Sequence, residues 1–387
     1  MTATAAHSHA QDGTLTAPFW PPLTVEELRG VLRFYPGLSG HPQLLSVSPR
    51  PFSAASVVRV GQRRIFVKRH ARAVRTAAGL YEEHAFMAHL RAHGASVPRV
   101  LADNTGTTAI ELNGWTYEVH ELPTGIDLYQ DAISWTPFFH AAHAHAAGRA
   151  LAHLHLVAQG FNAPARIGRP LVAGFSIFAA QNPHDALESY VSARPALHAY
   201  VQSTDWLAET MRLLAPFHAE LRPLLPALTP LWTHNDLHPS NLFWSASGAR
   251  ADVTAVIDFG LSDRTNAVHD LAHAIERSIV EWLALVERPD EPEQVPIHFD
   301  HLSALLDGYE SLRPLSTHER AALAPMAALC HAEFALSEAD YFLSVLRSEE
   351  EAHYACPAYL LDHARWWRGA GRKLLDAIRR WAEAPAK

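Results

Sequence analysis

The sequence predicts an α+β fold with a small β-rich N-terminal lobe, residues 25–122, and a larger, mainly helical C-terminal lobe, residues 123–387. Before residue 122, apolar and polar residues alternate in several short runs, which is the pattern of half-buried strands. Pro123 and Gly125 then break the last of these strands, because proline has no amide donor and glycine permits unusual backbone angles. Beyond this break most apolar residues recur at helical spacing.

The N-terminal segment, residues 1–24, is polar and aperiodic over most of its length, and we expect a flexible tail there. A short helix should follow as far as Phe34, because Thr24 can cap its first turn and acidic residues come directly after the cap.

Two hairpins and a helix are predicted in the rest of the N-terminal lobe. The first hairpin lies within residues 44–68 and turns at Gly61 and Gln62. Residues 77–92 carry apolar side chains on one stripe, which predicts a helix. The second hairpin turns at the dipeptide 113–114, Asn-Gly, which is strongly favoured in two-residue hairpin loops.

Composition narrows the functional class. The chain has 387 residues and a formal net charge of −8, which argues against a nucleic-acid partner. No apolar run approaches the roughly 20 residues of a membrane-spanning helix, and the N-terminus lacks the features of a signal peptide. We therefore expect a cytoplasmic protein without a membrane partner.

Cys330 and Cys356 are the two cysteines, and they form no C-x-x-C pair, which disfavours a disulfide framework.

Histidine is abundant, with 26 residues in the chain, and histidine is a common metal ligand. Five histidines fall in one short stretch: His140, His143, His145, His153 and His155. They lie in an Ala-rich helical pattern without a fixed frame of Cys, His and carboxylate ligands, so we interpret them as helix residues. A metal-binding or scaffold protein built on the histidines is the alternative.

The residues that carry chemistry lie in two nearby segments. Residues 232–244 read WTHNDLHPSNLFW and contain Asp236 and Asn241 in a D-x-x-x-x-N frame, and residues 256–263 read VIDFGLSD and contain Asp258. Phosphoryl transfer needs a carboxylate to accept or orient the proton of the attacking hydroxyl, and hard oxygen ligands that hold Mg²⁺ on the phosphates. Two short strands around a turn at residues 245–248 should bring Asn241 beside Asp258.

These two segments resemble the motifs of the aminoglycoside phosphotransferase superfamily, which includes choline kinases and homoserine kinases of the second type. Its members usually show H-G-D-x-H-x-x-N, and in this chain Asn235 replaces the first glycine, His238 matches the second histidine and Ser240 stands where a glycine is often found. The resemblance implies a protein-kinase-like fold of two lobes, ATP and Mg²⁺ as cofactors, Asp236 as the catalytic base, and Asn241 and Asp258 as metal ligands.

The resemblance also implies a nucleotide-binding role for the N-terminal lobe. Lys68, at the end of an apolar strand, matches the lysine that pairs with the phosphates in kinases. Either Glu82 or Glu83 should hold this lysine, and we choose Glu83 by its spacing to Val97.

The other nucleotide contacts are assigned by position in the family fold. Ser53 and Ser56 belong to the loop expected over the phosphates, although this loop contains no glycine and no Walker-type motif occurs in the chain. Glu121 and Leu122 lie where the strand is expected to leave backbone groups unpaired for an adenine edge.

Three further features of the C-terminal lobe can be compared with the phosphotransferase superfamily and with protein kinases. Asp270, in a helix predicted over residues 263–285, resembles the structural aspartate that braces the catalytic loop. No A-P-E segment follows Asp258, which disfavours a protein kinase with an activation loop. Glu333, Glu338 and Asp340 match acids that bind an amino group of the acceptor in relatives, but we favour a solvated helix face for them.

The sequence therefore predicts an ATP-dependent kinase that phosphorylates a hydroxyl of a small molecule. An amino alcohol, an amino acid alcohol or an aminosugar is the expected acceptor, and an uncharged sugar or polyol is the alternative. A non-catalytic pseudokinase that binds nucleotide or ligand is the alternative of another class. The sequence leaves the oligomeric state open.

Overall fold

A computed structural model of the chain describes residues 8–9, 15–16, 18–166 and 170–385. Most of the predicted tail, residues 1–24, therefore lies outside the described residues. The chain divides into two compact units. The first consists of the chain up to Gly125 together with Thr254–Ile257, and the second consists of Ile126–Val253 and Asp258–Lys387.

The strands in the first unit are β1 Ser8–His9, β2 Leu15–Thr16, β3 Pro42–Val47, β4 Ala54–Val60, β5 Arg63–Ala71, β6 Ala109–Leu112 and β7 Trp115–Glu121. Five of them form an antiparallel sheet with the strand order β3-β4-β5-β7-β6. A separate pair, β1 and β2, is also antiparallel. Both predicted hairpins are present, and β3 adds a strand to the first of them.

The two helices of this unit are α1 Val25–Leu32 and α2 Ala77–Ala92. Thr24 caps α1 in a capping box, because its hydroxyl accepts from the Glu27 N–H while the Glu27 carboxylate accepts from the Thr24 N–H. Leu28 and Val31 of α1 are fully buried in the core beneath the sheet. Both helices confirm the elements predicted there.

The second unit is mainly helical. Its elements up to the catalytic segments are α3 Ala141–Val157, α4 Pro183–Ser192, α5 Pro195–Gln202, α6 Trp206–Leu221, β8 Pro230–Thr233, β9 Leu242–Trp244 and β10 Val253–Val256, the last of which continues into the first unit. Short 3-10 turns occur at Leu225–Ala227 and Pro239–Asn241. The Ser245 N–H donates to the Asp252 carbonyl at 2.9 Å and closes the turn between β9 and β10.

The remaining elements are β11 Asp263–Asn266, α7 Ala267–Ile279, α8 Trp282–Glu287, α9 Phe299–Glu310, α10 Thr317–Leu329, α11 His331–Tyr341, α12 Glu349–His353, α13 Asp362–Arg368 and α14 Arg372–Glu383. A 3-10 turn occurs at Pro292–Gln294, and π-helical turns occur at Phe342–Leu346 and Tyr354–Leu361. The α+β class, with an antiparallel sheet followed by a helical region, is confirmed. Among the described residues, no helix combines the length and apolar character needed to cross a membrane.

One predicted boundary is wrong. The helix expected over residues 263–285 begins at Ala267, because Asp263–Asn266 forms β11, which pairs antiparallel with β8. Asn266 then caps α7, since its side chain accepts from the His269 N–H at 3.0 Å. The strand pair fixes the chain on both sides of the segment that contains Asp236 and Asp258.

Helices α3 and α9 approach each other closely at two glycines. A Cβ atom at Gly148 would lie 2.0 Å from the Leu305 carbonyl oxygen, and one at Gly308 would lie 2.1 Å from the His145 carbonyl oxygen. Only a residue without a side chain fits at these two contacts. Since α3 also carries His155, the close packing holds this side chain near the catalytic loop.

Candidate functional site

The loop after β8 is held by one buried carboxylate. Asp270 of α7 accepts hydrogen bonds from the backbone N–H groups of His234, at 2.9 Å, and Asn235, at 2.7 Å. The imidazole of His155 lies 2.9 Å from the same carboxylate. Although burial favours the neutral acid, these partners hold the pKa of Asp270 below its usual range. The predicted bracing role of Asp270 is confirmed.

The replacement of the usual glycine by Asn235 has a local structural basis. Asn235 has a φ of 60°, in the left-handed region that glycine adopts readily and that asparagine tolerates better than most residues. Its side-chain oxygen accepts from the Thr233 hydroxyl at 2.8 Å and from the Thr265 hydroxyl at 3.2 Å. The chain therefore keeps the turn that glycine would allow and adds hydrogen bonds between β8 and β11.

Asp236 and Asn241 are joined through the short turn between them. The Asn241 amide nitrogen donates to the Asp236 backbone carbonyl at 2.9 Å and to its carboxylate at 3.1 Å. Because the nitrogen faces Asp236, the amide oxygen is left to face a different partner. That orientation suits a metal ligand, since oxygen is the atom an amide offers to Mg²⁺.

Asp258 lies in a second strained turn of the same unit. It has a φ of 58°, and the Gly260 N–H points to its carboxylate at 3.4 Å. A Cβ atom at Gly260 would lie 3.2 Å from the Asp258 carboxylate, so this glycine permits the close approach. Arg166 donates to the Gly260 carbonyl at 3.1 Å and steadies the turn.

Burial and charge set the ionisation of Asp236. Burial raises its pKa, Arg277 and His234 lower it, and the charge of Asp258 raises it. The influence of Asp258 on Asp236 means that the two carboxylates share one electrostatic environment. Asn241 is therefore hydrogen-bonded to Asp236, and Asp258 lies close enough for its charge to act on Asp236.

Arg277 is a residue of this site that sequence reasoning missed. This buried side chain of α7 donates to the Asp236 carboxylate, and its guanidinium lies 4.8 Å from the centre of the Phe334 ring. No local pattern indicates the contact, since Arg277 follows Asp236 by 41 residues and looks like any charged helix residue.

The three acids near the C-terminus are buried, so the solvated helix face favoured for them is wrong. Glu333, Glu338 and Asp340 are each at most 7% exposed. Glu333 accepts hydrogen bonds from the N–H groups of Ser176, at 2.6 Å, and Ile177, at 3.0 Å. These bonds give Glu333 a structural role.

A fourth buried acid, Glu276, lies next to Arg277. Its Oε2 atom is 4.0 Å from Arg277 Nε, and neither this oxygen nor Arg277 Nη2 makes a hydrogen bond within the part of the chain that the structure describes. Burial raises the pKa of Glu276, whereas Arg277, His331 and the nearby Tyr359 side chain lower it. Arg277 Nη2 belongs to the side chain that contacts Asp236, so this unpaired donor lies beside the proposed site.

The predicted nucleotide residues belong to the first unit. Lys68 lies in β5 opposite Glu118 of β7 and is half-buried. Glu83 of α2 is buried, whereas the alternative, Glu82, is half-buried. Both oxygens of Glu118 face imidazole groups. The pairing of Lys68 with Glu83 stays a prediction.

The other predicted nucleotide contacts lie near the start of β4 and at the end of β7. Ser53 lies at the end of the connection between β3 and β4, and Ser56 lies inside β4, where it is 1% exposed. The prediction that Glu121 has unpaired backbone groups is wrong for its N–H, which donates to the Arg99 carbonyl at 2.9 Å. Leu122 follows the end of β7 and is half-buried, and its contact with adenine stays a prediction.

Comparison with known sequences gives a family and two relatives. The sequence model of the phosphotransferase enzyme family matches residues 47–315. A homoserine kinase of Gluconobacter oxydans is 26% identical over 247 residues, which cover 61% of this chain and 63% of the relative. A homoserine kinase of Gluconacetobacter diazotrophicus is 30% identical over 254 residues, covering 65% and 66%. In both comparisons the match spans slightly less than two thirds of the relative.

Solved structures share the fold. A microcompartment-associated aminopropanol kinase superimposes with a TM-score of 0.61 at 18% identity, covering 92% of this chain and 99% of that one. An amicoumacin kinase in complex with AMP-PNP, Ca²⁺ and its ligand has a TM-score of 0.53 at 14% identity, covering 87% and 89%. At these identities the similarity establishes the fold of the chain.

Proposed function

We propose that this chain, which belongs to the phosphotransferase enzyme family, transfers the γ-phosphate of ATP to a hydroxyl group of a small molecule. One observation carries the proposal. A half-buried carboxylate, Asp236, lies beside an amide and a second carboxylate, Asn241 and Asp258, in two strained turns that further hydrogen bonds hold in place.

Asp236 acts as the base in this proposal. It takes the proton of the acceptor hydroxyl as the bond between that oxygen and the γ-phosphorus forms and the bond to the β-bridging oxygen breaks, so that ADP leaves. Asn241 and Arg277 both contact the Asp236 carboxylate and fix its direction. A base held from two sides loses little freedom when the acceptor arrives, which favours catalysis by orientation.

The donor set fits a magnesium ion. Asn241 presents its amide oxygen, because its nitrogen donates to Asp236, and Asp258 offers a carboxylate whose charge acts on the same region. These are hard oxygen ligands of the type that Mg²⁺ prefers, and the ion would neutralise charge on the phosphates. We therefore assign Asn241 and Asp258 as the residues that would hold it.

Lys68 is proposed to neutralise the phosphates, with Glu83 as the residue that orients it. The burial of Glu83 supports this choice over Glu82, because a buried carboxylate requires a charged or hydrogen-bonding partner. Lys68 lies on β5, which pairs with β4 on one side and with β7 on the other. This pairing holds the backbone of Lys68 in place. The pair supplies orientation rather than proton transfer.

The acceptor is proposed to carry an amino group, as in an amino alcohol or an amino acid alcohol. Glu276 Oε2 and Arg277 Nη2 are buried without a hydrogen-bond partner in the described part of the chain, and Arg277 contacts Asp236. An ammonium suits the first atom and a carboxylate suits the second. The homoserine kinases and the aminopropanol kinase named above are relatives whose names contain such acceptors.

A screen for ADP release tests the proposal. Purified protein with Mg-ATP should release ADP when given homoserine, aminopropanol, ethanolamine or choline, and much less with neutral sugars and polyols. A charge-assisted hydrogen bond is worth about 1.5–3 kcal/mol, which is a preference of roughly ten- to a hundred-fold for the amine. Glu276→Gln should reduce this preference, while Glu333→Gln serves as a control because Ser176 and Ile177 occupy Glu333.

Two outcomes would contradict different parts of the proposal. Turnover confined to neutral acceptors would remove the amine and leave the kinase. Nucleotide binding without turnover of any hydroxyl acceptor would favour a non-catalytic protein.

A further inference from the structure

Three imidazole groups converge on a single buried carboxylate in the first unit. The Nε2 atoms of His70, His84 and His120 lie 2.9, 2.8 and 2.9 Å from the oxygens of Glu118. Glu118 is 1% exposed. The facing atoms of His84, Glu118 and His120 all lie within 4.8 Å of one another. No step of the proposed phosphoryl transfer uses this cluster.

The sheet and one helix bring these side chains together. His70 lies in β5, while Glu118 and His120 are two residues apart on β7 and so point to the same face of the sheet. His84 reaches that face from α2. The cluster therefore connects α2 to the two central strands beside it.

The direction of the rings suits coordination through Nε2. His84 Nδ1 lies 2.8 Å from the Thr108 hydroxyl, which can accept its N–H and so leave the Nε2 lone pair facing Glu118. His120 is the most exposed member, with 13% of its side chain accessible, and provides a route for an ion from solvent.

We propose that His84, Glu118 and His120 form a binding site for a divalent transition-metal ion such as Zn²⁺, with His70 as a neighbour that contacts Glu118. Imidazole nitrogen and carboxylate oxygen are among its usual ligands, and three protein ligands with one water molecule complete a four-coordinate site. An ion there stabilises the first unit by fixing α2 on the sheet. The site uses none of the residues proposed to hold Mg²⁺, and the inference does not depend on the proposed kinase activity.

The test uses the full chain, purified without a polyhistidine tag and stripped with a chelator. After incubation with Zn²⁺ or Co²⁺ and removal of free ion, we expect about one bound ion per chain by elemental analysis. Bound Co²⁺ should give the visible absorption of a four-coordinate site, and Zn²⁺ should raise the melting temperature. Nucleotide is omitted, so that ions held on phosphates do not contribute.

Variants separate this site from the other histidines of the chain. His120→Ala should weaken binding by more than about 100-fold, and Thr108→Ala, which removes an outer partner only, should weaken it by about 10-fold. His298→Ala is the matched control, because His298, Asp300 and His301 form a second group of potential ligands that is more exposed. This variant should bind the ion as the unchanged chain does.

His84→Ala and Glu118→Gln extend the series, and circular dichroism establishes that each variant is folded. If His84→Ala is unfolded, the ranking of the His120, Thr108 and His298 variants still decides the question. Equal metal binding in the His120 and His298 variants would overturn the site. So would the absence of any bound ion in the unchanged chain, which would leave a network of imidazole N–H groups donating to Glu118.

Discussion

At the scale of single residues, the proposed base and the proposed metal ligand are separable by substitution. Asp236→Asn keeps the shape of the loop and removes the proton acceptor, so it should preserve affinity for Mg-ATP and lower kcat by about 100-fold or more. Asp258→Ala removes a ligand and should weaken metal–nucleotide binding itself. Calorimetry with Mg-ATP and single-turnover kinetics measure the two effects. Near-normal turnover by Asp236→Asn would exclude it as the base.

Arg277 gives a prediction about pH. Its charge lowers the pKa of Asp236, which burial raises. Removing the charge in Arg277→Gln should therefore move the acid limb of the kcat profile to higher pH, because Asp236 must be deprotonated to act as base. Activity at low pH then falls more than activity at high pH.

The control for Arg277→Gln is Arg320→Gln. Arg320 is also buried, but it pairs with Glu310, on a different helix from any residue of the proposed site. Its loss should destabilise the fold by about 3–5 kcal/mol, the usual result of breaking a buried ion pair, without moving the acid limb. A parallel loss of activity at every pH in Arg277→Gln would limit Arg277 to a structural role.

At the scale of secondary-structure elements, α2 is expected to act on β5 through Glu83 and Lys68. Lys68→Ala should raise the KM for ATP or lower kcat, and Glu83→Ala should do so more mildly. Because Glu83 acts through Lys68, the double variant should lose little more than Lys68→Ala alone, and a double-mutant cycle measures this coupling. Glu82→Ala is the matched control, one residue away and half-buried. Strict additivity, or a larger effect at Glu82, would move the role away from Glu83.

Elements with local signals were predictable from sequence. The strand and helix patterns of residues 54–121 appear as β4 to β7 and α2, and the Asn113-Gly114 turn has positive φ at both residues. The candidate catalytic loop was recognisable in the sequence because the proposed chemistry requires fixed residue types at a short, fixed spacing. Asp270 was predictable only through the family resemblance, since its contacts bridge 35 and 36 residues.

Elements defined by distant partners were not predictable. The sequence of β11, DRTN, lacks the alternation of a strand and forms one only because β8 lies beside it. Every residue of α11 is buried, including its acids, so the usual inference that charged helix residues face solvent fails there. Glu333 finds its partners in the irregular segment around Ser176, which no pattern in the sequence connects with α11.

At the scale of the whole molecule, buried histidines should make stability depend on pH. Burial lowers the pKa of His269 and His363 to about 3 and that of His331 to about 4. In the unfolded chain a histidine has a pKa of about 6.5, so the unfolded state binds more protons between these values and stability falls as the pH falls. Each such histidine costs about 1.4 kcal/mol of stability between pH 7.5 and 5.5, or about 4 kcal/mol for the three.

Buried carboxyl groups change stability with pH in the opposite direction, so they reduce the loss of stability expected from the histidines. The pKa values of Glu276 and Glu333 are raised by burial, so their protonation stabilises the folded state as the pH falls toward their folded-state values. Urea denaturation at pH 7.5 and 5.5 measures the balance, and we expect a lower free energy of unfolding at pH 5.5. His363→Gln should remove about 1.4 kcal/mol of the difference, whereas His318→Gln, at an exposed position, should leave it unchanged. The same difference in stability between the two pH values in His363→Gln and in the unchanged chain would mean that burial does not keep His363 neutral.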